Sequence, residues 1–233
     1  MNGKQTAIVT GAGSGIGNAI ARRLVAEGYN VIGADVAWKS PDTPFERHDV
    51  DVRNSDQVRD LFVSVAQRCG SIDVAVNCAG VSGRWQVATT TDSEWLRVLD
   101  INLNGTFYGM REAAVHMIRQ RSGRIINIAS NRGLHGLKNG APYAASKGGV
   151  IALTKTGALE LARDNIGVFA ILPGSTDTPL LRGTRTDAQV DEIAKRGLNK
   201  PEHVADALMP LLGPDALAFN GACVSLARRT LDA

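Results

Sequence analysis

Seven short apolar runs punctuate the chain, at residues 5–10, 30–35, 45–50, 72–77, 124–129, 167–172 and 222–226. Most are continuous rather than alternating, which predicts strands covered on both faces. The stretches between them carry helical periodicity: 15–27, 56–68, 95–99 running on to 121, 143–163 and 203–211. Strand-then-helix alternation of this kind predicts an α/β fold, a Rossmann-like doubly wound sheet of seven mostly parallel strands with helices on both faces. No repeat, low-complexity tract or charged linker divides the chain, so residues 1–233 read as a single domain.

Two connections break the rhythm. Between Asp35 and Asp49 the chain carries Pro41 and Pro44, which leaves little room for a helix and predicts an extended crossover. The stretch from Thr178 to Lys200 is charged and interrupted by Gly183 and Gly197, the pattern of a substrate lid at about 178–200.

Composition narrows the class. Apolar residues make up 44% and charged residues 21%, which excludes a disordered or fibrous chain. The 25 glycines in 233 residues exceed the usual share and suggest many tight turns. The net charge of +3 is dispersed, with Arg22-Arg23 and Arg228-Arg229 as the densest basic groups, so no nucleic-acid surface is expected. No apolar run is long enough to span a membrane, and the apolar stretch near the start is too short for a signal-peptide core. Cys69, Cys78 and Cys223 are odd in number and widely spaced, and His48, His116, His135 and His203 are equally scattered. That argues for a reduced, cytoplasmic protein without a metal site.

The first candidate for chemistry is Thr10-Gly11-Ala12-Gly13-Ser14-Gly15-Ile16-Gly17, which follows the first strand and opens the first helix. Glycines at 11, 15 and 17 let the backbone turn sharply and approach a pyrophosphate, which the helix start would meet with unpaired N–H groups. The spacing is G-x-x-x-G-x-G rather than G-x-G-x-x-G. Asp35 closes the second strand, where a carboxylate accepts hydrogen bonds from adenosine ribose hydroxyls and repels a 2′-phosphate. Position 36 is valine, and Ser14 stands where a cation could have met that phosphate, so NAD is favoured over NADP.

The second candidate is Tyr143-Ala-Ala-Ser-Lys147, whose tyrosine and lysine share a helix face at i and i+4. A free phenol, with a pKa near 10, is a poor base at neutral pH; a neighbouring ammonium favours the phenolate and would lower that value. Ser130, at the end of a strand, has a hydroxyl suited to a substrate carbonyl oxygen. Taken alone, a Tyr-x-x-x-Lys is also what an amphipathic surface helix carries.

These features together resemble the compact branch of the short-chain dehydrogenase/reductase family. The likeness runs from about Gln5 to Gly221 through Thr10 to Gly17, Asp49-Val50, Asn77-Cys78-Ala79-Gly80, Asn102, Ser130, Tyr143, Lys147 and Pro173-Gly174. They stand in the family's order, with thirteen positions between Ser130 and Tyr143. The resemblance implies that Tyr143 is the general acid/base, that Lys147 lowers its pKa and bonds the nicotinamide ribose, and that Ser130 holds the substrate oxygen. Asn102 would anchor a water chain leading through Lys147. Gly11, Ser14, Gly15, Ile16 and Gly17 would cradle the pyrophosphate, Asp49 and Val50 would flank the adenine, and Asn77, Ala79 and Gly80 would border the adenosine and nicotinamide sides. Pro173, Gly174, Thr176 and Thr178 would fix the nicotinamide end. A homo-oligomer, tetramer or dimer, is implied, with the helices at 102–121 and 143–163 at one interface. The chain departs from the family at Cys78, where asparagine is usual, and at its end, which lacks the usual Asp-Gly-Gly.

The activity implied is an NAD-dependent interconversion of a secondary alcohol and a ketone. Two alternatives stay open: an NADPH-type 3-oxoacyl thioester reductase, and a non-catalytic NAD-binding regulatory module. An epimerase or dehydratase retaining its NAD is a third. Arg84, Arg132, Arg182 and Arg185 would stand near the substrate, either meeting a carboxylate or solvated on the lid.

Overall fold

The computed structural model describes residues 4–39, 42–195 and 197–226; Arg228-Arg229 lies outside them. Seven strands form one sheet, β1 (Thr6–Thr10), β2 (Asn30–Asp35), β3 (Glu46–Asp49), β4 (Val74–Asn77), β5 (Gly123–Ile128), β6 (Ile166–Pro173) and β7 (Cys223–Leu226). Their order is β3-β2-β1-β4-β5-β6-β7, and every neighbouring pair is parallel. All seven expected strands are present. Each parallel pairing needs a crossover, and these crossovers carry helices to both faces of the sheet.

Alternation within β1 shows how the layers are built. Ala7 and Val9 face one core with Ile20 and Leu24 of helix α1 (Gly15–Ala26) and Val204 and Leu208 of α9 (Pro201–Leu208). Ile8, between them, faces the other core. There it joins Phe62 and Val65 of α2 (Ser55–Cys69), Met110 and Met117 of α4 (Gly105–Gln120) and Ala158 of α6 (Ala141–Leu161). Burial on both faces is why the central strands read as unbroken apolar runs. β3, Glu-Arg-His-Asp, is the exception, an edge strand whose residues are mostly exposed.

Helix limits follow local capping chemistry. Asn54 caps α2, its side chain accepting from the N–H groups of Asp56 and Gln57. Helix α3 (Asp92–Leu99) starts earlier than the apolar periodicity suggested, because Thr91 and Glu94 form a reciprocal capping box. The expected run to residue 121 is not one regular helix: Asp100–Asn104 forms a wider π turn before α4. Between β2 and β3 the described residues 36–39 and 42–45 contain no helix, in keeping with the extended crossover expected.

Short helices that the periodicity did not signal fill two loops on the same side of the molecule. α5 (Arg132–His135) follows β5, and α7 (Pro179–Arg182) and α8 (Asp187–Lys195) follow β6. The last two form the stretch read as a lid. Its base is pinned where Asn199 pairs with Ser175 and Asp177, the Asn199 amide donating to the Ser175 carbonyl and its own carbonyl accepting from Asp177.

The chain leaves β1 towards β2 and β3, then returns to β4 on the opposite side. This reversal opens a crevice at the carboxyl ends of β1 and β4, the position at which doubly wound sheets bind ligands.

Candidate active site

A cleft of about 1180 Å³ occupies that crevice. One end is built by the glycine turn. Gly11 has a φ of +70°, and a Cβ on Gly17 would lie 2.1 Å from the Gly11 carbonyl oxygen, so α1 starts against the strand end only because both are glycine. Ser14, at the N-cap of α1, makes no capping bond, and the first turn holds no acidic residue. The free N–H groups of Gly15, Ile16 and Gly17 are thus available beside the cleft that all three line. A pyrophosphate fits this cradle: it would supply the acceptors that this helix start lacks.

Asp35, at the tip of β2, lines the same end. Its carboxylate accepts from the Gly13 N–H at 2.8 Å, from Val36 at 2.7 Å and from Ala37 at 3.1 Å. Three backbone donors fix an anion beside the phosphate turn.

The adenine side differs from the expected pattern at Asp49. Asp49 is the last residue of β3 and does not line the cleft; its carboxylate accepts from the Trp38 indole N–H at 2.7 Å. Val50 does line the cleft, together with Asp51, Val52 and Arg53. The sequence repeats Asp-Val at 49–50 and 51–52, and only the second pair lies wholly beyond the strand end. Arg53 holds Asp51 by an ion pair of 2.6 Å, and its hydrogen bond keeps that carboxyl below the usual range.

Asn77 also lies away from the cleft lining. It is buried against α4, where Gly109 leaves room for its side chain, and its amide donates to Asn127 at 2.9 Å. Asn127 in turn donates to Thr154 of α6. Cys78, Ala79 and Gly80 do line the cleft. Burial pushes the Cys78 thiol up to about 12, so it stays neutral at physiological pH.

At the opposite end stand Ser130, Tyr143 and Lys147. The Ser130 hydroxyl stands near the Tyr143 phenol, whose ionised form it favours, and accepts from the Arg132 N–H at 3.2 Å. Lys147, one turn below Tyr143 on α6, is buried, with its amine donating to the Ile128 carbonyl at 2.7 Å and lying 6.0 Å from the Tyr143 ring centre. Burial lowers the Lys147 amine to about 8.

The electrostatics correct one expectation. Tyr143 opens on the cleft, yet the protein packed around it pushes the phenol up; the nearby Ser130 hydroxyl and the charges of Arg132 and Arg185 offset only part of that. Desolvation outweighs these contributions, among which the Lys147 amine does not figure, so the phenol here is a protonated donor at neutral pH.

Asn102, in the π turn, is fully buried and does not line the cleft. Its side chain accepts from the Val81 N–H at 2.8 Å, donates to the Val81 carbonyl at 2.9 Å and donates to Ser146 at 3.1 Å. It clamps the loop after β4 onto α6. A Cβ on Gly80 would sit 3.4 Å from Asn102 Oδ1 and 3.6 Å from Lys147 Nζ, so the three meet at one point.

Pro173, Gly174, Thr176 and Thr178 line the roof. Thr178 caps α7 by accepting from the Leu181 N–H, and its methyl group faces Gly15 across the phosphate turn. Ser225 of β7 also reaches the cleft and donates to Asn131 at 2.8 Å, so the atypical chain end still closes this wall. Nothing in the sequence pattern singled out Ser225. Arg182 is turned to Asp177, which it holds by an ion pair of 2.7 Å.

Among the described residues, no group of three or more His, Cys, Asp or Glu side chains is placed to hold a metal ion. None of the helices formed by those residues is long and apolar enough to cross a membrane.

Comparison with known proteins agrees with this geometry. The family profile for short chain dehydrogenases matches residues 5–189. The chain belongs to the short-chain dehydrogenase family. It is 32% identical to a 3-oxoacyl-[acyl-carrier-protein] reductase of Thermotoga maritima, over 94% of both chains. It is 34% identical to a D-beta-hydroxybutyrate dehydrogenase of Rhizobium meliloti, over 95% of this chain and 96% of that one. Its fold superposes on the aldohexose dehydrogenase of Thermoplasma acidophilum with a TM-score of 0.89 and 33% identity, covering 96% of this chain and 92% of the other. The short-chain dehydrogenase described here is therefore an oxidoreductase of a family that uses NAD(P), which sets aside the non-catalytic reading.

Proposed function

We propose that this enzyme interconverts a secondary alcohol and a ketone with NAD as its cofactor. The observation that carries the reading is that Ser130, Tyr143 and Lys147 line the same cleft as the glycine turn. A bound nicotinamide dinucleotide supplies or accepts the hydride. Ser130 donates to the substrate oxygen and orients it. In the reductive direction Tyr143 gives its phenolic proton to that oxygen, and in the oxidative direction the phenolate takes the hydroxyl proton back. Lys147, anchored on the Ile128 carbonyl, stands behind the phenol and holds a positive charge below about pH 8.

Asp35 supports NAD over NADP. A carboxylate held by three backbone donors cannot swing away, and a 2′-phosphate next to it would meet uncompensated negative charge. The name of the Thermotoga relative supports a second reading, reduction of a 3-oxoacyl thioester, which an acyl-thioester assay separates from the first.

We also propose self-association through α4. Phe107, Val115 and Ile118 are exposed along this one helix, and Leu159 of α6 is 84% exposed. Light scattering giving a monomer mass would refute it.

The deciding experiment is the formation or loss of reduced cofactor with a panel of secondary alcohols and ketones. Tyr143→Phe is expected to lower kcat about 10²–10⁴-fold while leaving dinucleotide binding intact. A Phe variant of near wild-type activity would refute the proton-transfer role.

A further inference from the structure

The substrate end of the cleft has an excess of positive charge that no carboxylate of the described residues offsets. Arg132 lines it from α5, two residues beyond Ser130, and Arg185 lines it from the loop between α7 and α8. Arg84 stands near enough to add its charge to theirs. Among the described residues none of the three has an ion-pair partner within 4.0 Å. This contrasts with Arg182 in the same lid, which Asp177 neutralises. Arg185 is half-buried, and its guanidinium donates to one neutral group, the Thr184 hydroxyl at 3.1 Å. Burial and the like charges of Arg84 and Arg132 lower it from its ordinary value.

Gathering like charges around a half-buried guanidinium is unfavourable unless an anion relieves it. The dinucleotide phosphates do not serve, because the pyrophosphate cradle is at the glycine turn, whereas Arg132 and Arg185 act on Tyr143. Two guanidinium forks suit the planar, bidentate geometry of a carboxylate. The neighbouring lining is apolar, with Leu137, Leu180, Leu181 and Ile193.

We infer that the substrate is a small carboxylic acid, its carboxylate held by Arg132 and Arg185 and its apolar body set against the lid leucines. This rests on the alcohol–ketone reading for the identity of the reacting group, but the anion site itself does not. Arg84 strengthens the field without lining the cleft.

The test is a calorimetric titration of the NADH-loaded enzyme, in which the phosphate cradle is already filled. The probes are 3-oxocyclohexanecarboxylate, its neutral carboxamide, acetate and inorganic phosphate. The expected result is at least tenfold tighter binding of the oxo acid than of its carboxamide. In the R132Q/R185Q double variant that preference should vanish while weak carboxamide binding persists. R185K, which keeps the charge but loses the fork, should retain part of the preference, and its melting temperature checks the fold. Three results would each overturn the inference: equal binding of acid and carboxamide, no binding by either carboxylate, or a preference that survives in the double variant. Phosphate binding tighter than both carboxylates would overturn it too. Because the readout is binding, an enzyme that prefers the acid yet reduces no ketone would sink the proposed reaction and leave this site standing.

Discussion

Tyr143 and Lys147 show how far individual residues were legible. Their i, i+4 spacing and the Ser130 interval were plain in the sequence, because they depend only on helix periodicity and order along the chain. The sign of the Tyr143 shift was not, because desolvation depends on what packs around the hydroxyl. Asp49 shows a different limit: with two Asp-Val copies in tandem, which carboxylate lies past the strand is indistinguishable until the end of β3 is known. The raised phenol has a kinetic consequence. Ketone reduction uses the protonated form and should hold steady across neutral pH, whereas alcohol oxidation needs the phenolate and should rise with pH. Initial rates in both directions between pH 6 and 10 check this; an oxidation rate independent of pH would contradict it. Lys147 adds a stability effect. Its folded-state value of about 8 lies below the ordinary 10.5, so from pH 8 upward the folded protein has shed a proton that the unfolded chain still binds. The cost of burying the charged amine is therefore complete below pH 8 and is relieved as pH rises, which increases stability. Cys78, raised from 9.0 to about 12, acts in the opposite sense above pH 9. Between pH 8 and 9 the lysine effect stands clear, and Lys147→Met should remove it in denaturant titrations at the two pH values.

Elements carry information that no single residue does. The seven strands and the long helices were legible because a parallel sheet covered on both faces leaves continuous apolar runs between amphipathic stretches. The π turn at Asp100–Asn104 was not, since its wider winding places Asn102 inside the protein without altering the local composition. Short helices α5 and α7 were invisible because neither is long enough to develop a periodicity. Asn77 illustrates how an element-level role can be mistaken for a ligand contact. It joins β4 to β5 and α6 through Asn127 and Thr154, a buried chain of hydrogen bonds. Asn77→Ala would leave the Asn127 carbonyl oxygen without its buried donor, at a cost of about 1–3 kcal/mol. A lowered denaturation midpoint with the dinucleotide dissociation constant little changed is the expected result; loss of binding at unchanged stability would restore a direct ligand role. Gly17→Ala should do the reverse. Its Cβ would press on the Gly11 carbonyl oxygen, push α1 away from the strand end and spoil the cradle, so cofactor affinity should fall by at least tenfold.

At the scale of the whole molecule, the sheet reversal at β1 and β4 makes one crevice serve two ends, with an anion-accepting turn and Asp35 at one and the Ser130–Tyr143 pair at the other. A dinucleotide bridging them would touch loops from most of the strands, so its binding energy should appear as global stability rather than as local ordering. A ligand present at a hundred times its dissociation constant stabilises the folded state by about 2.7 kcal/mol. For a chain of this size, ~1 kcal/mol moves the melting temperature by about 2–4 °C, so saturating NAD should raise it by roughly 5–10 °C. NADP at equal concentration should raise it far less, because the fixed Asp35 carboxylate opposes the additional phosphate. Asp35→Ser removes that charge and the acceptor for the Gly13 N–H, so the NAD shift should shrink and the NADP shift should grow until the two approach each other. Differential scanning fluorimetry of both proteins with both dinucleotides reads all four values in one experiment. Equal shifts in the wild-type enzyme would show that the Asp35 carboxylate does not oppose the 2′-phosphate.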